Sequence, residues 1–273
     1  MTQESRADTY LLGSAVSTYL RYRLFNDVYM PGTLQLMSGM QVSLDMEVLE
    51  IGCGIGDTAC YIAQKLVPNG HVTAFDQSSD LIEIADRQAA ELGLENITFV
   101  CAKVQDFPFP SEQFDIAHTR YVLSYLSDAG DVIRKTYGAL KRSGVFLGEE
   151  VAQIYIRQGS TEWYERLGFW FARLIEIGGG DPNYGIDQMA SDVLGAGFVD
   201  IRASAYWPVE DQQKLVDMLR IALSQEMKQN LVDLGVATET EVDEVVRELA
   251  KPDRDYVISA SMAAQITGRK VSS

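Results

Sequence analysis

Val48-Leu49-Glu50-Ile51-Gly52-Cys53-Gly54-Ile55-Gly56-Asp57-Thr58-Ala59 decides how this chain folds. Val48, Leu49 and Ile51 make an apolar run of the length of a buried strand. Gly52, Gly54 and Gly56 follow at alternate positions. Glycine has no Cβ, so this loop can turn sharply and bring its backbone close to a ligand. Beyond it, Ala59, Tyr61, Ile62, Ala63 and Leu66 recur at helical spacing. A helix that begins at such a loop points its free N–H groups at whatever is bound there.

Outward from this stretch, strands and helices alternate. Strands are predicted over 47–51, 71–75, 97–101, 114–118 and 145–148. Ser78-Ser79-Asp80 opens a helix carrying Ile82, Ala85, Ala89 and Leu92, and Gly93 closes it. A second helix follows Asp128, with Val132, Ile133, Tyr137 and Leu140 on one side, and Arg142-Ser143-Gly144 turns into the next strand. Alternation of this kind predicts βαβ units around a parallel sheet. Ligands then sit at the carboxyl ends of the strands, where strand order reverses.

Before the first strand, Leu20, Leu24 and Val28 share a helix face, and Pro31-Gly32 is predicted to break that helix before a second one with Leu34, Leu36, Met37 and Met40. After Glu149-Glu150, residues 155–177 are rich in aromatics: Tyr155, Trp163, Tyr164, Phe169, Trp170 and Phe171. Gly178-Gly179-Gly180-Asp181-Pro182 breaks the pattern. A helix with Ile186, Met189, Val193 and Leu194 ends at Gly195 and Gly197. Alternating stretches at 198–205 and 256–267 are the last two strands, one antiparallel, with helices over 211–234 and 239–250 between them.

The chain has 273 residues, of which 47% are apolar, enough for a sizeable core. A net charge of −16 argues against a nucleic-acid surface or a polybasic membrane patch. No apolar run is long enough to span a bilayer, and the first residues lack the apolar segment of a signal peptide. Cys53, Cys60 and Cys101 read as small core residues in a reducing cytoplasm, neither disulfide-bonded nor zinc-binding.

Two ligand classes use a glycine loop of this kind. Gly54-Ile55-Gly56-Asp57-Thr58-Ala59 fits the dinucleotide fingerprint, with Asp76 at the required interval of about 20 residues. Glu50 points elsewhere: with it, the segment resembles motif I, E-x-G-C-G-x-G, of the class I S-adenosylmethionine (SAM) methyltransferases. Phe114-Asp115, Leu123 and Leu126 match that family's segment after the fourth strand. The resemblance covers residues 45–150 well. It implies a Rossmann-like, doubly wound, mostly parallel seven-stranded α/β sheet with helices on both faces. It also implies a helical lid over 1–46, a SAM-binding core over 47–150, and a C-terminal part over 151–273 with substrate-covering inserts at about 151–185 and 208–253.

The same resemblance implies a cofactor site. Glu50 would face the SAM ammonium group, beside the backbone of Gly52, Cys53, Gly54 and Gly56. Asp76 would hold the ribose diol and Gln77 would lie beside the adenine. Asp106 would accept from the adenine amino group, with Val104, Gln105 and Phe107 around the ring. Tyr10, Arg21, Tyr22 or Arg23 would meet the SAM carboxylate. The product would be S-adenosylhomocysteine (SAH), and the acceptor a small aromatic or lipid-like molecule.

In-line methyl transfer is a task of alignment and water exclusion, and a base helps when the acceptor is a hydroxyl or an acidic carbon. Of the two histidines, His71 begins a strand on the face opposite the expected site and reads as structural. His118 ends the fourth strand and is the favoured base, while its family position equally implies a cofactor-binding residue packed against SAM; its replacement is expected to spare cofactor binding. Glu149 and Glu150 are its rivals. A SAM-binding protein that does not methylate and a nicotinamide oxidoreductase are the alternatives. A cytoplasmic location is expected, with exchange of the N-terminal helix between subunits possible in a homo-oligomer.

Overall fold

The computed structural model describes residues 10–13, 19–153, 162–208, 212–224, 226–251 and 261–271. Its strands are β1 (Glu47–Ile51), β2 (His71–Asp76), β3 (Ile97–Cys101), β4 (Phe114–Arg120), β5 (Leu140–Gln153), β6 (Val199–Tyr206) and β7 (Met262–Arg269). They form one sheet in the order β3-β2-β1-β4-β5-β7-β6. Pairing is parallel except at β7, which runs antiparallel to both β5 and β6. The order reverses between β1 and β4, and the glycine loop leaves β1 at that point, where an open α/β sheet has its crevice.

Side chains alternate across the sheet with the period of two that a strand imposes, reset in β4 by the irregularity between Phe114 and Ile116. Leu49, Ile51, Phe114, Ala117 and Phe146 enter one core with Ile133, Met189 and Phe198. Val48, Val72, Ile116 and Leu147 enter the other with Ala59, Ile62 and Met37. The helices are α1 (Tyr19–Ser38), α2 (Asp57–Tyr61), α3 (Ser79–Glu91), α4 (Ala129–Ala139), α5 (Glu162–Ile177), α6 (Ile186–Gly195), α7 (Gln212–Leu223), α8 (Glu226–Asp233) and α9 (Glu239–Leu249). α2 runs into a π turn over Ile62–Leu66. Ser78 caps α3 and Asp128 caps α4 through side-chain oxygens, as the sequence predicts. Gly93 and Gly197 lie beyond α3 and α6 in the left-handed region.

A third core is built mostly by the helices, with Leu12, Ala237 and, from β7, Ala263 added to it. Val28 and Tyr29 of α1 join Trp163, Leu167, Trp170 and Leu174 of α5. Leu215, Leu223, Met227, Leu231, Val242, Val245 and Leu249 complete it from α7, α8 and α9. The N-terminal segment and the two inserts therefore share one hydrophobic cluster.

Four expectations need correction. α1 runs unbroken through Pro31 and Gly32. Its packing outweighs the lost hydrogen bond at proline: a Cβ on Gly32 would stand 2.3 Å from the Tyr206 ring, and Gln265 donates to the Gly32 carbonyl. The helix expected over 211–234 is two helices, α7 and α8. β5 starts earlier than 145, because the expected turn is a bulge between the Phe114–Leu140 and Ile116–Val145 pairs, with Ser143 at φ 64°. Cys101 is exposed, since it ends β3 at the sheet edge. Tyr155 and Tyr256 lie outside the described residues.

Candidate active site

A cavity of about 740 Å³ opens at the carboxyl ends of β1, β2 and β4, within the size range of small-molecule sites. Its floor is the glycine loop. Gly52, Gly54 and Gly56 have φ of +70°, +54° and +81°, a region that L side chains rarely adopt. A Cβ at Gly52 would lie 2.3 Å from Val122, and one at Gly56 would lie 2.8 Å from Ala85. One at Gly54 would meet only the Tyr22 ring, at 3.9 Å. Gly52 and Gly54 line the cavity, whereas Gly56 packs the loop onto α3 and β3 and stands outside it.

Asp76 at the end of β2 closes the loop from the side. One carboxylate oxygen accepts from Gly54 N at 3.0 Å and the other from Ser78 N at 2.9 Å. Burial raises its carboxyl above the ordinary range, while the amide hydrogen bonds pull the other way. The carboxylate, with backbone donors from Gly54, Gln77 and Ser78, keeps acceptor capacity for a diol. Gln77, Val104 and Gln105 continue this wall, and Glu50 and Cys53 line the cavity beside Gly52.

α1 supplies the facing wall with Arg21, Tyr22, Phe25, Asn26 and Tyr29. Arg21 is buried and donates to the Gly13 carbonyl at 2.7 Å, and its guanidinium lies 4.5 Å over the Tyr22 ring. The Tyr22 hydroxyl donates to the same carbonyl at 3.0 Å. Arg23 turns away, onto Asp57, and is not in the lining. Arg120 at the end of β4 donates to Thr33 and to Asn26, both at 2.9 Å, and so fastens α1 to the sheet. The outer part of the cavity is apolar and aromatic, with Tyr121 and Tyr125 after β4, Tyr164, Leu167 and Phe171 from α5, and Leu215, Met218, Leu219 and Ala222 from α7.

Several named residues lie elsewhere. Asp106 is exposed and outside the cavity lining, in a turn in which its N–H and that of Phe107 both donate to the Lys103 carbonyl. Phe107 stacks on Phe75 in the core, centroids 4.1 Å apart. His71 is at the start of β2, its Nε2 2.9 Å from the Thr98 hydroxyl.

His118, the favoured base, does not reach the cavity. It is 0% exposed, with Nδ1 2.8 Å from Glu50 Oε2 and Nε2 3.0 Å from Glu149 Oε1. Burial acts to lower its pKa, but the two carboxylates outweigh it and push it up to about 9, so both nitrogens carry protons at neutral pH. Glu149 is fully buried and resists ionisation on that ground, yet His118 holds its carboxyl below the ordinary range. Glu150 accepts from Val122 N and Leu123 N, and burial pushes it up to about 7. Neither glutamate lines the cavity.

The sequence left Arg120 and Tyr121 without a role and placed α7 only within the insert at 208–253, without naming its cavity-facing residues. The α7 signal was available: Leu215, Met218, Leu219 and Ala222 follow the spacing of one helix face. The side of α7 that meets the cavity depends on α1, far away in sequence.

The site suits a nucleoside with a cationic amino-acid tail. It offers a glycine cradle, a carboxylate for a diol, a second carboxylate beside the loop, and a buried arginine across from it. Comparison with known proteins agrees. A methyltransferase domain model matches residues 48–144. Demethylmenaquinone methyltransferase of Listeria monocytogenes serotype 4a (strain HCC23) is 29% identical over 110 residues, 40% of this chain and 46% of that protein. This chain therefore spans a little under half of that relative's length. Two solved structures share the fold. Haemonchus contortus phosphoethanolamine N-methyltransferase 2, in complex with phosphomonomethylethanolamine and SAH, is 15% identical, with a TM-score of 0.61 over 94% of this chain and 58% of that one. The [4+2]-cyclase SpnF is 20% identical, with a TM-score of 0.54 over 84% of this chain and 76% of that one.

Proposed function

We propose that this chain is a class I SAM-dependent methyltransferase, a reading supported by the methyltransferase domain model over residues 48–144 and by the Listeria relative, and that it moves the SAM methyl to an oxygen, nitrogen or carbon of a small aromatic or lipid-like acceptor. The carrying observation is continuity. One cavity runs from Glu50, Gly52, Gly54 and Asp76 to the aromatic and aliphatic wall of Phe25, Tyr164, Phe171, Leu215 and Met218. Glu50 faces the ammonium group, Asp76 the ribose diol, and Gln77, Val104 and Gln105 the adenine. Arg21 and Tyr22 meet the carboxylate.

Bound SAM supplies a methyl already activated on sulfur. A bond forms from acceptor to methyl, the methyl–sulfur bond breaks, SAH leaves and the acceptor loses a proton. The protein aligns the two molecules and keeps water out. α1 and the inserts at 151–185 and 208–253 act as the lid over that encounter. With His118 and Glu149 turned to each other, the acceptor brings a nucleophile that is acidic or already ionised. The name of the Listeria relative supports a quinone-derived ring, and the net charge of −16 disfavours a nucleic-acid partner and so supports a small molecule.

A SAM-binding catalyst that does not methylate is the second reading. It is favoured by the fold shared with a [4+2]-cyclase and by a cavity lining with no histidine or lysine among the described residues. Calorimetry with SAH and with NAD, followed by incubation with methyl-labelled SAM and a demethylated quinol, separates these cases. SAH binding with label transfer supports methylation. SAH binding without transfer to quinol, phenol or amine acceptors favours the second reading. NAD binding instead of SAH sinks both.

A further inference from the structure

The buried triad of Glu50, His118 and Glu149 has no part in the transfer step just described, yet its first member lines the cavity. Glu50 and His118 are register partners on β1 and β4. Glu149 and Gln265 are register partners on β5 and β7. From Glu50 Oε2 the hydrogen bonds run to His118, then to Glu149 Oε1. Glu149 Oε2 accepts from Gln265 Nε2 at 2.8 Å, which also donates to the Gly32 carbonyl of α1 at 3.0 Å. Gln265 Oε1 accepts from Ser204 on β6 at 3.2 Å. A polar ladder thus crosses five neighbouring strands on one face of the sheet.

Burying such a row costs desolvation at every step, so it is a poor way to gain stability. What it fixes is geometry. Glu50 is 3% exposed and lines the cavity, with Oε2 taken by His118. Without His118 the carboxylate is free to rotate about its terminal torsions, which are broad. We propose that His118 is a positioning residue for the cofactor: anchored by Glu149 and Gln265, it holds Glu50 so that one oxygen faces the ammonium end of the bound sulfonium nucleoside. The proposal rests on the SAM reading and reverses the sequence-based expectation that replacing His118 spares cofactor binding.

The test compares two ligands by calorimetry. SAH carries the ammonium group; 5′-methylthioadenosine keeps the adenosine and sulfur but lacks the amino-acid end. In His118→Asn, SAH is expected to bind about tenfold more weakly, with 5′-methylthioadenosine within about twofold of wild type. Glu149→Gln keeps an acceptor for His118 and serves if His118→Asn does not fold; it is expected to weaken SAH about threefold and leave 5′-methylthioadenosine unchanged. Equal weakening of both ligands makes His118 merely structural and overturns the proposal, as does unchanged SAH affinity in the variants. A folded wild type that binds neither nucleoside sinks the SAM reading itself, and this proposal with it.

Discussion

His118 gives the alkaline limit of this fold a specific cause. Its pKa is raised from 6.5 to about 9 because Glu50 and Glu149 outweigh its burial. A group held protonated in the native state stabilises it fully below its unfolded pKa. That stability is lost as pH rises through the folded value. The window is therefore pH 6.5 to 9, and the full difference corresponds to roughly 3 kcal/mol. For a chain of 273 residues, unfolding entropy makes that a fall in Tm of roughly 5 °C. Glu149→Gln removes one of the two carboxylates and keeps an acceptor. It should reduce the alkaline loss to roughly half and lower Tm at pH 7 by roughly 3 °C. Urea unfolding of wild type and variant at pH 6, 7, 8, 9 and 10 measures the difference, and groups common to both cancel. Proton NMR reads the site directly, since the chain has two histidines and His71→Gln identifies the other resonance. A His118 resonance that titrates at or below 6.5, or identical pH profiles for the two proteins, refutes the reasoning.

Gly52→Ala places a Cβ 2.3 Å from Val122 at φ +70°, so it should cost about 2 kcal/mol in urea unfolding and weaken SAH more than tenfold by calorimetry. Glu150 is held up at about 7 from 4.5 by burial, so its native carboxyl favours the neutral form and the protein loses stability as pH rises from 4.5 to 7. Glu150→Gln keeps an oxygen for Val122 N and Leu123 N, and above pH 7 should be more stable than wild type by up to about 3 kcal/mol in the same assay. Phe171→Ala enlarges the apolar wall away from the glycine loop. It should raise the acceptor KM about tenfold in a methyl-transfer assay and leave SAH affinity unchanged, and an equal loss in both would remove the division of the cavity drawn above.

What the sequence revealed was local, and what it hid was assembled from distant parts. The strands at 47–51 and 97–101 coincide with β1 and β3 because each is a short apolar run between turn residues, and such runs carry their own boundaries. The caps at Ser78 and Asp128 and the loop glycines were legible for the same reason. The break expected at Pro31 failed because Tyr206 and Gln265, more than 170 residues away in sequence, hold that turn of α1 in place. Asp106 was aimed at the adenine on family position alone, and its exposure outside the cavity lining has no signature in neighbouring residues. His118 is the clearest instance. Strand parity puts it on the same face as Glu50, but its charge state depends on partners 68 residues before and 31 residues after it. A histidine at a strand end facing water is a base; clamped between two buried carboxylates it is a cation that holds another group still. Only the sheet order β1-β4-β5, which makes those two glutamates its neighbours, distinguishes the two.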